Sequence, residues 1–477
     1  MTTTPAAAPS TVIEAGGIEA IPADRRHGSP WQLFATWTAP NLEFATIYVG
    51  IIAVAFFGLN LTAALVAIVL GNALGSITQG VLSTWGPREG LAQMVLGRTA
   101  FGLRGNILPS ALNTIMAGLG WFATNTVSGT LALAALTGMP RVLALIIVVV
   151  VQVLLAFIGH NLVQAFERYS TYILGVIFLI AVIVIFAHTG DGEAPKGAGW
   201  PFWGFTLTAS AAFGYSAGWN PYASDYTRYQ RKDVNKAVLG WAAGLGDFIS
   251  CTVLMAAGAA SVYIAFPSDT NPTGTFVSSL PTWIKDLTLL AICVGAIAAN
   301  SLNIYSGAMS FLAAGIKIPF ALRRAIIAIG FGVIGFVISL VLVLNASFEE
   351  SYENFLLVIA YWIAPWLGIV LTDRVLRRGT SIAEFIPESA RYRNGAGIIA
   401  LVVAGAVSIW LFSNQSFYTG PLPAHFKDLG DITPLVGFVL AALIYWVLFR
   451  AFKVRLGGPL DSEPDVIVGV DAADEIA

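Results

Sequence analysis

Phe205-Thr-Leu-Thr-Ala-Ser-Ala-Ala-Phe213-Gly214-Tyr215-Ser216-Ala217-Gly218-Trp219-Asn220-Pro221 is the stretch on which the fold turns. It is apolar enough to lie in a bilayer. Yet two glycines four apart, followed by a proline, make a poor continuous helix. Pro221 suits the first turn of a new half-helix. The segment reads as a discontinuous span, the kind of place where transporters bind substrate. Two plainer readings compete with this one: a small-residue helix-packing motif, or the end of the span.

Outward from that stretch, apolar runs of about 18 residues or more recur, each long enough to cross a bilayer as a helix. They lie near 41–59, 62–84, 108–136, 141–160, 169–188, 204–220, 238–266, 282–313, 324–345, 353–372, 394–413 and 433–450, twelve in all. Bare backbone in lipid must satisfy its own hydrogen bonds, so helices are required. The alternating pattern of a membrane barrel is absent. The composition agrees, with 57% hydrophobic and 11% charged residues and a mean hydropathy of +0.77. A soluble chain averages about 25% charged. A soluble enzyme and a disordered protein are therefore excluded, although an enzyme embedded in the membrane is not.

A net charge of −2 argues against a nucleic-acid partner. Cys251 and Cys293 lie in apolar stretches and offer neither a disulfide framework nor a zinc spacing. The four histidines, His27, His160, His188 and His425, fall in tails or near span ends. No metal centre or cofactor is expected. A channel filter of repeated carbonyl or charge rings is not visible either.

Twelve spans place both tails on one side. Arg141, Lys196, Lys285 and Lys427 would face outward, and the other 21 of the 25 lysines and arginines inward. Inner loops carry the excess of Lys and Arg, so both termini are expected in the cytoplasm of a multi-pass protein. A bacterial inner membrane or a eukaryotic plasma membrane fits. The first span carries Gly50 at a depth similar to the sixth-span break and five spans before it, as a five-plus-five inverted repeat requires.

The segment after the break, Trp219-Asn-Pro-Tyr-Ala-Ser-Asp225-Tyr226-Thr227-Arg228-Tyr229, resembles the purine–cytosine permeases of the nucleobase:cation symporter family. Gly17-Ile-Glu-Ala-Ile-Pro22 with Trp37-Thr-Ala-Pro-Asn41, Gly86-Pro-Arg-Glu-Gly90 through Gly97-Arg98-Thr-Ala-Phe-Gly102, Gly120-Trp121-Phe-Ala-Thr-Asn125, and Ala299-Asn300-Ser-Leu-Asn303-Ile-Tyr305-Ser306-Gly307 agree with it. The resemblance runs from about 17 to about 452. It implies an all-α, LeuT-like architecture. Two inverted five-helix repeats, with helices 1 and 6 broken, hold the substrate between those helices and helices 3 and 8. Two further helices follow. The expected organisation is a cytoplasmic tail at 1–34, repeats at 35–188 and 189–373, helices 11 and 12 at 374–452, and an acidic cytoplasmic tail at 453–477.

Trp121 and Asn125 lie four apart and share a helix face. A flat nucleobase suits such a pair, because an indole stacks and an amide both donates and accepts. An interfacial or lipid-facing tryptophan is the alternative. Asn300 and Asn303 also share a face. An asparagine in a membrane core needs partners, so they serve either substrate or interhelical bonding. In helix 6 the expected contacts are Phe213, Gly214, Tyr215, Ser216 and Trp219, with no choice made among the last three. Gly50 joins them from helix 1.

Sodium-coupled members of the family use helix 1 carbonyls and two helix 8 hydroxyls just before an asparagine. Here Ala298 and Ala299 precede Asn300 and cannot ligate a hard cation through their side chains. Ser301 supplies a hydroxyl only in a shifted register. Fungal members of the purine–cytosine branch couple to protons. Protons are therefore preferred to sodium, with Asp247 and Glu43 as candidate carriers, since an intramembrane acid is a functional candidate by default. Glu43 reads equally as a capping or interfacial acid. Asp225, with Arg228 three residues on, reads as a gate or structural clamp. The function expected is import of a neutral nucleobase, cytosine or a purine such as adenine, guanine or hypoxanthine. A permease for allantoin, hydantoin, uracil or thiamine, or a non-transporting receptor, is the alternative.

Overall fold

The computed structural model describes residues 17–158, 160–191, 195–267, 272–316, 323–344 and 348–459. Most of the acidic tail and the first sixteen residues lie outside the described residues. So do Lys317 and the side chains of His160, Arg168, Arg323 and Arg324.

Fifteen principal helices make up the described chain: α1 Gln32–Thr38, α2 Phe44–Ala55, α3 Leu61–Ser83, α4 Ile107–Ile115, α5 Phe122–Thr137, α6 Arg141–Ile158, α7 His160–His188, α8 Phe202–Ala217, α9 Ala223–Thr227, α10 Lys236–Ser261, α11 Thr282–Ala313, α12 Arg323–Leu344, α13 Phe348–Leu376, α14 Gly395–Phe412 and α15 Thr433–Ala451. Among the described residues there are isolated β-bridges but no strand. Side-chain caps start several of the helices. Asn60 accepts from the Ala63 amide at α3, and Asn235 accepts from Ala237 and Val238 at α10. Each satisfies backbone donors that the helix itself leaves open.

Among the described residues seven helices are long and apolar enough to cross a membrane, and α1 with α2, bent by 59°, make an eighth. The other expected spans are helical but shorter or interrupted. They are α4 with α5, α6, α8 with α9, and α12. The periphery is apolar, with Leu74, Ile77, Ile173 and Leu443 more than half exposed. Asn72, Asn300, Glu43 and Asp247 are buried. This inversion of the soluble pattern is what a lipid solvent imposes.

The packing is reciprocal: α3 lies along α8, and α10 lies along α2. Each half thus places its second helix on the other half's broken first helix, as an inverted repeat does. Glycines make these contacts close. A Cβ at Gly71 would fall 2.4 Å from the Ala209 carbonyl oxygen, and one at Gly75 would fall 2.5 Å from Ser216 Oγ.

Two expectations about the breaks part company here. Helix 6 breaks where its glycine and proline indicate. The α8 helix stops at Ala217, Gly218 and Trp219 turn, and a 3₁₀ turn at Asn220–Tyr222 with Pro221 leads into α9. Helix 1 does not break at Gly50. The α2 helix runs through it without interruption, and the break lies at Ala39–Glu43, around Pro40. Gly50 is a packing glycine: a Cβ there would sit 1.7 Å from the Met255 carbonyl oxygen, and one at Gly258 would sit 1.9 Å from that of Ile47. Gly214 likewise lies inside α8, where a Cβ would meet the Leu356 carbonyl oxygen at 2.4 Å.

Gly50→Val should destabilise the folded protein by at least about 1–3 kcal/mol, the usual cost of overpacking. Gly405→Ala, inside α14 where a Cβ meets open space, should hold stability or raise it by up to about 1 kcal/mol of helix propensity. The thermal midpoints of the purified proteins check both.

Candidate functional site

The two breaks face each other, and aromatic rings gather between them. Helix 3 brings Trp121 to this place through a π-helical turn at Met116–Trp121 that joins α4 to α5. Such a turn is rare and re-aims side chains. The Trp121 indole meets Tyr215 and Phe355 edge-on, each with centroids 5.1 Å apart. It lies nearly parallel to Trp219, at 10° and 6.5 Å. Gly218 lets it come close, since a Cβ there would be 3.1 Å from Trp121 Cζ2. Trp121 is buried, which excludes the interfacial reading.

One turn beyond Trp121, Asn125 Nδ2 donates to Asn300 Oδ1 at 3.2 Å. Its buried Oδ1 has no hydrogen-bond partner among the described residues. Asn300 is fully engaged. Its Nδ2 donates to the Phe122 carbonyl at 3.0 Å, Thr126 Oγ1 at 3.1 Å and Gln152 Oε1 at 2.9 Å. Asn303 Nδ2 donates to Asn300 Oδ1 at 3.3 Å, and Asn303 Oδ1 accepts from the Tyr222 hydroxyl at 3.3 Å. Of the three amides, Asn125 alone leaves an acceptor open. Asn300 and Asn303 tie α11 to α5, α6 and the helix 6 break.

Two carboxylates sit at the breaks. Glu43 is fully buried, so it is not an interfacial acid. It is the N-cap of α2, where its Oε2 accepts from the Ala45 amide at 2.9 Å and from Ser128 Oγ at 3.0 Å. The Tyr215 hydroxyl lies 3.1 Å from Glu43 Oε1 and 2.5 Å from Thr46 Oγ1. Thr46 Oγ1 in turn donates to the Asn41 carbonyl at 2.6 Å. Asp247, inside α10, is also fully buried. Its Oδ2 accepts from Ser216 Oγ at 2.6 Å and Ser76 Oγ at 2.8 Å, and its Oδ1 accepts from Cys251 Sγ and Asn41 Nδ2, both at 3.4 Å.

The structure thus separates residues that the sequence left together. Tyr215 and Trp219 border Trp121. Ser216 turns to Asp247. Phe213 lies two residues from Tyr215 and so on the opposite side of α8. Gly214 and Gly50 belong to helix contacts. Asp225 and Arg228 form no ion pair within 4 Å among the described residues. Asp225 Oδ1 accepts from the Gln93 amide at 2.8 Å. Arg228 Nη1 donates to the Gly17 carbonyl at 3.0 Å, and its Nη2 to Tyr229 and Tyr305 hydroxyls at 3.1 and 3.3 Å. The two charges act on each other without a direct ion pair, and each side chain bonds partners of its own. Beside the helix 1 break, helix 8 presents Gly295, where a Cβ would meet the Leu42 carbonyl oxygen at 1.9 Å. The Ser301 hydroxyl donates to Ile297 O of its own helix at 2.9 Å. Asn41, Thr46, Ser128 and Ser76 escaped the sequence reading. Pro40 at the edge of an apolar run was the available signal for the first two.

Residues 20–437 match the model of a family described as permeases for cytosine/purines, uracil, thiamine and allantoin. The chain belongs to this permease family. Like the family, it is a transporter and not an enzyme. The permease is 30% identical to YxlA of Bacillus subtilis (strain 168), itself named only as a candidate purine-cytosine permease, over 93% of this chain and 98% of that one. It is 28% identical to the purine-cytosine permease fcyB of Emericella nidulans, over 94% and 90% of the two chains. Its fold is that of Mhp1, a nucleobase-cation-symport-1 family transporter solved in a closed conformation with bromovinylhydantoin bound. The TM-score is 0.72 at 19% identity, over 94% of this chain and 97% of that one. The permease therefore has the LeuT-like architecture that the family resemblance implied.

Asn300→Ala should leave Gln152, Thr126 and Asn125 short of partners. The loss is expected at about 1–3 kcal/mol, read as a lowered thermal midpoint of the purified permease whether or not a substrate is present.

Proposed function

We propose that the permease imports a neutral nucleobase, cytosine or a purine such as adenine, guanine or hypoxanthine, by proton symport, with the site opening alternately to the two sides of the membrane. It would do so in a plasma membrane or bacterial inner membrane, with both termini cytoplasmic. The observation that carries this reading is the pair of near-parallel indoles, Trp121 and Trp219, 6.5 Å apart. A flat ring between them needs two contacts of about 3.5 Å each, so the indoles must part by at least about half an ångström to admit it. Asn125 Oδ1 then offers an acceptor to a ring N–H or an exocyclic amine. Trp121, Trp219 and Tyr215 supply faces and edges without charge, which suits a neutral base. The names of the relatives point to the same substrate class.

For the coupling ion, the hydroxyl chain at the helix 1 break favours a proton. The contacts from Glu43 to Tyr215, from Tyr215 to Thr46 and from Thr46 to the Asn41 carbonyl are three. The two hydroxyls bring only two hydrogens. A proton on Glu43 Oε1 supplies the third, and each group then donates to the next. The other oxygen, Oε2, keeps its two donors. Ala298 and Ala299 provide no hydroxyl for a hard cation nearby. Asp247 is the second candidate carrier. Its hydrogen-bonding groups are all neutral, so its charge is balanced by dipoles alone.

Trp121→Ala should abolish labelled cytosine uptake in proteoliposomes, while Trp121→Phe keeps part of it. Absence of competition by adenine, guanine, hypoxanthine and unlabelled cytosine would direct the search to allantoin, hydantoin, uracil or thiamine. An inward proton gradient should drive accumulation without sodium, and Glu43→Gln should remove that dependence. Strict sodium dependence at constant pH would overturn proton symport. Binding without net uptake would mark a receptor.

A further inference from the structure

Asn41 contacts two groups that the preceding reading treats separately. Its Oδ1 accepts from Trp219 Nε1 at 2.9 Å. Its Nδ2 donates to the Trp37 carbonyl at 2.8 Å and Ser250 Oγ at 3.0 Å, and points at Asp247 Oδ1 at 3.4 Å. The orientation of the amide is forced by chemistry. An indole N–H can only donate, and a backbone carbonyl can only accept. A flipped amide would set donor against donor at Trp219 and oxygen against oxygen at Trp37. All of these groups are buried, so water does not compete for them.

The surroundings narrow the residue type further. An aspartate at 41 would set a second carboxylate against Asp247 and the Trp37 carbonyl. A leucine of similar volume would leave the indole N–H bare. Asparagine alone among side chains of this size both accepts from the indole and donates to the other side. Trp37 also packs against Trp219, with centroids 6.0 Å apart at 56°, and Tyr222 meets it edge-on at 5.7 Å. The Trp219 ring is therefore held at its N–H and by two neighbouring rings. The face toward Trp121 is the one that the ligand would use.

We infer that Asn41 is a positioning residue: from the break of helix 1 it fixes the plane of the Trp219 indole parallel to Trp121, and so sets the width of the slot that receives a planar ring. This rests on the stacking role proposed above for Trp219, but the hydrogen bond itself does not. Asn41 touches no substrate. Its contribution passes through one N–H, and a phenylalanine at 219 would remove that N–H while keeping an aromatic face.

A double-mutant cycle isolates that contribution. Labelled cytosine binding is measured on the full-length permease in lipid nanodiscs for the unaltered protein, Asn41→Leu, Trp219→Phe and the double variant. Asn41→Leu should weaken binding about tenfold, equivalent to about 1.4 kcal/mol. In the Trp219→Phe background the same change should cost less than about twofold, an additive residue of the kind independent sites show. An undiminished loss in that background, or no loss in either, overturns the inference. A second readout is independent of substrate. With 5-fluorotryptophan incorporated, the Trp219 ¹⁹F resonance is assigned by its disappearance in Trp219→Phe, and it should shift in Asn41→Leu. An unmoved resonance would overturn the positioning role. If cytosine fails to bind the unaltered protein while the resonance moves, the substrate reading falls and the positioning role stands. If Asn41→Leu does not fold, Asn41→Ala, which also removes the acceptor for the Trp219 N–H, is read by the same two measurements, with the same outcomes supporting or overturning the inference.

Discussion

A helix that stops partway through a hydrocarbon slab leaves peptide groups with nothing to bond, and no water is at hand to take them. Everything at the centre of this permease answers that constraint. At the first break Glu43 caps the new half-helix through the Ala45 amide, and Thr46 bonds the Asn41 carbonyl. At the second, Asn220 Nδ2 donates to the Ala217 carbonyl and to that of Gly75 on α3. The polar groups recruited for this repair are then in place for other uses. Glu43 reaches Tyr215, and Asp247 reaches Ser216. Both of those residues lie in the last turn of α8, beside the rings that would receive a substrate.

The glycines follow from the same arrangement. A broken helix has to be surrounded closely if its exposed backbone is to be shielded from lipid. Gly50, Gly71, Gly75, Gly214 and Gly258 each stand where a Cβ would strike a neighbouring helix. They bring α2 onto α10, α3 onto α8 and α8 onto α13. The flexibility of glycine is used at none of these places; its lack of bulk is used at all of them.

That distinction explains what could be read in advance. The helices were legible because apolar length is a local property. So was the break in helix 6, because Gly214 and Gly218 fall inside an apolar run that Pro221 closes. The break in helix 1 was misplaced to Gly50, since a glycine that packs and a glycine that bends look the same in a sequence. Its true marker, Pro40, stood just before the apolar run and seemed to precede the span. Trp121, Asn125, Tyr215 and Trp219 were named as candidates from their residue types and their resemblance to a family. Asn41 was not, because its partners come from far along the chain: Trp219 is 178 residues away and Asp247 is 206. Nor could the sequence foretell that Asn300 spends all its capacity on protein groups while Asn125 keeps one oxygen back. That division depends on Gln152 of α6 arriving beside one and not the other.

Arg228 lies at the cytoplasmic end of helix 6, by the orientation proposed from the basic residues, with its guanidinium fully buried. The anchors it finds are neutral oxygens: two tyrosine hydroxyls and the carbonyls of Gly17 and Glu19. The segment that provides those carbonyls also hydrogen-bonds Gly90 through the Ile21 amide. Residues 17–21 are thereby laced across the foot of α9. A displacement of α9 has to carry this strap along, or else strand a permanent positive charge in a dry interior. Residues 17–21, part of what the sequence reads as a cytoplasmic tail, are in this way packed into the folded body of the transporter.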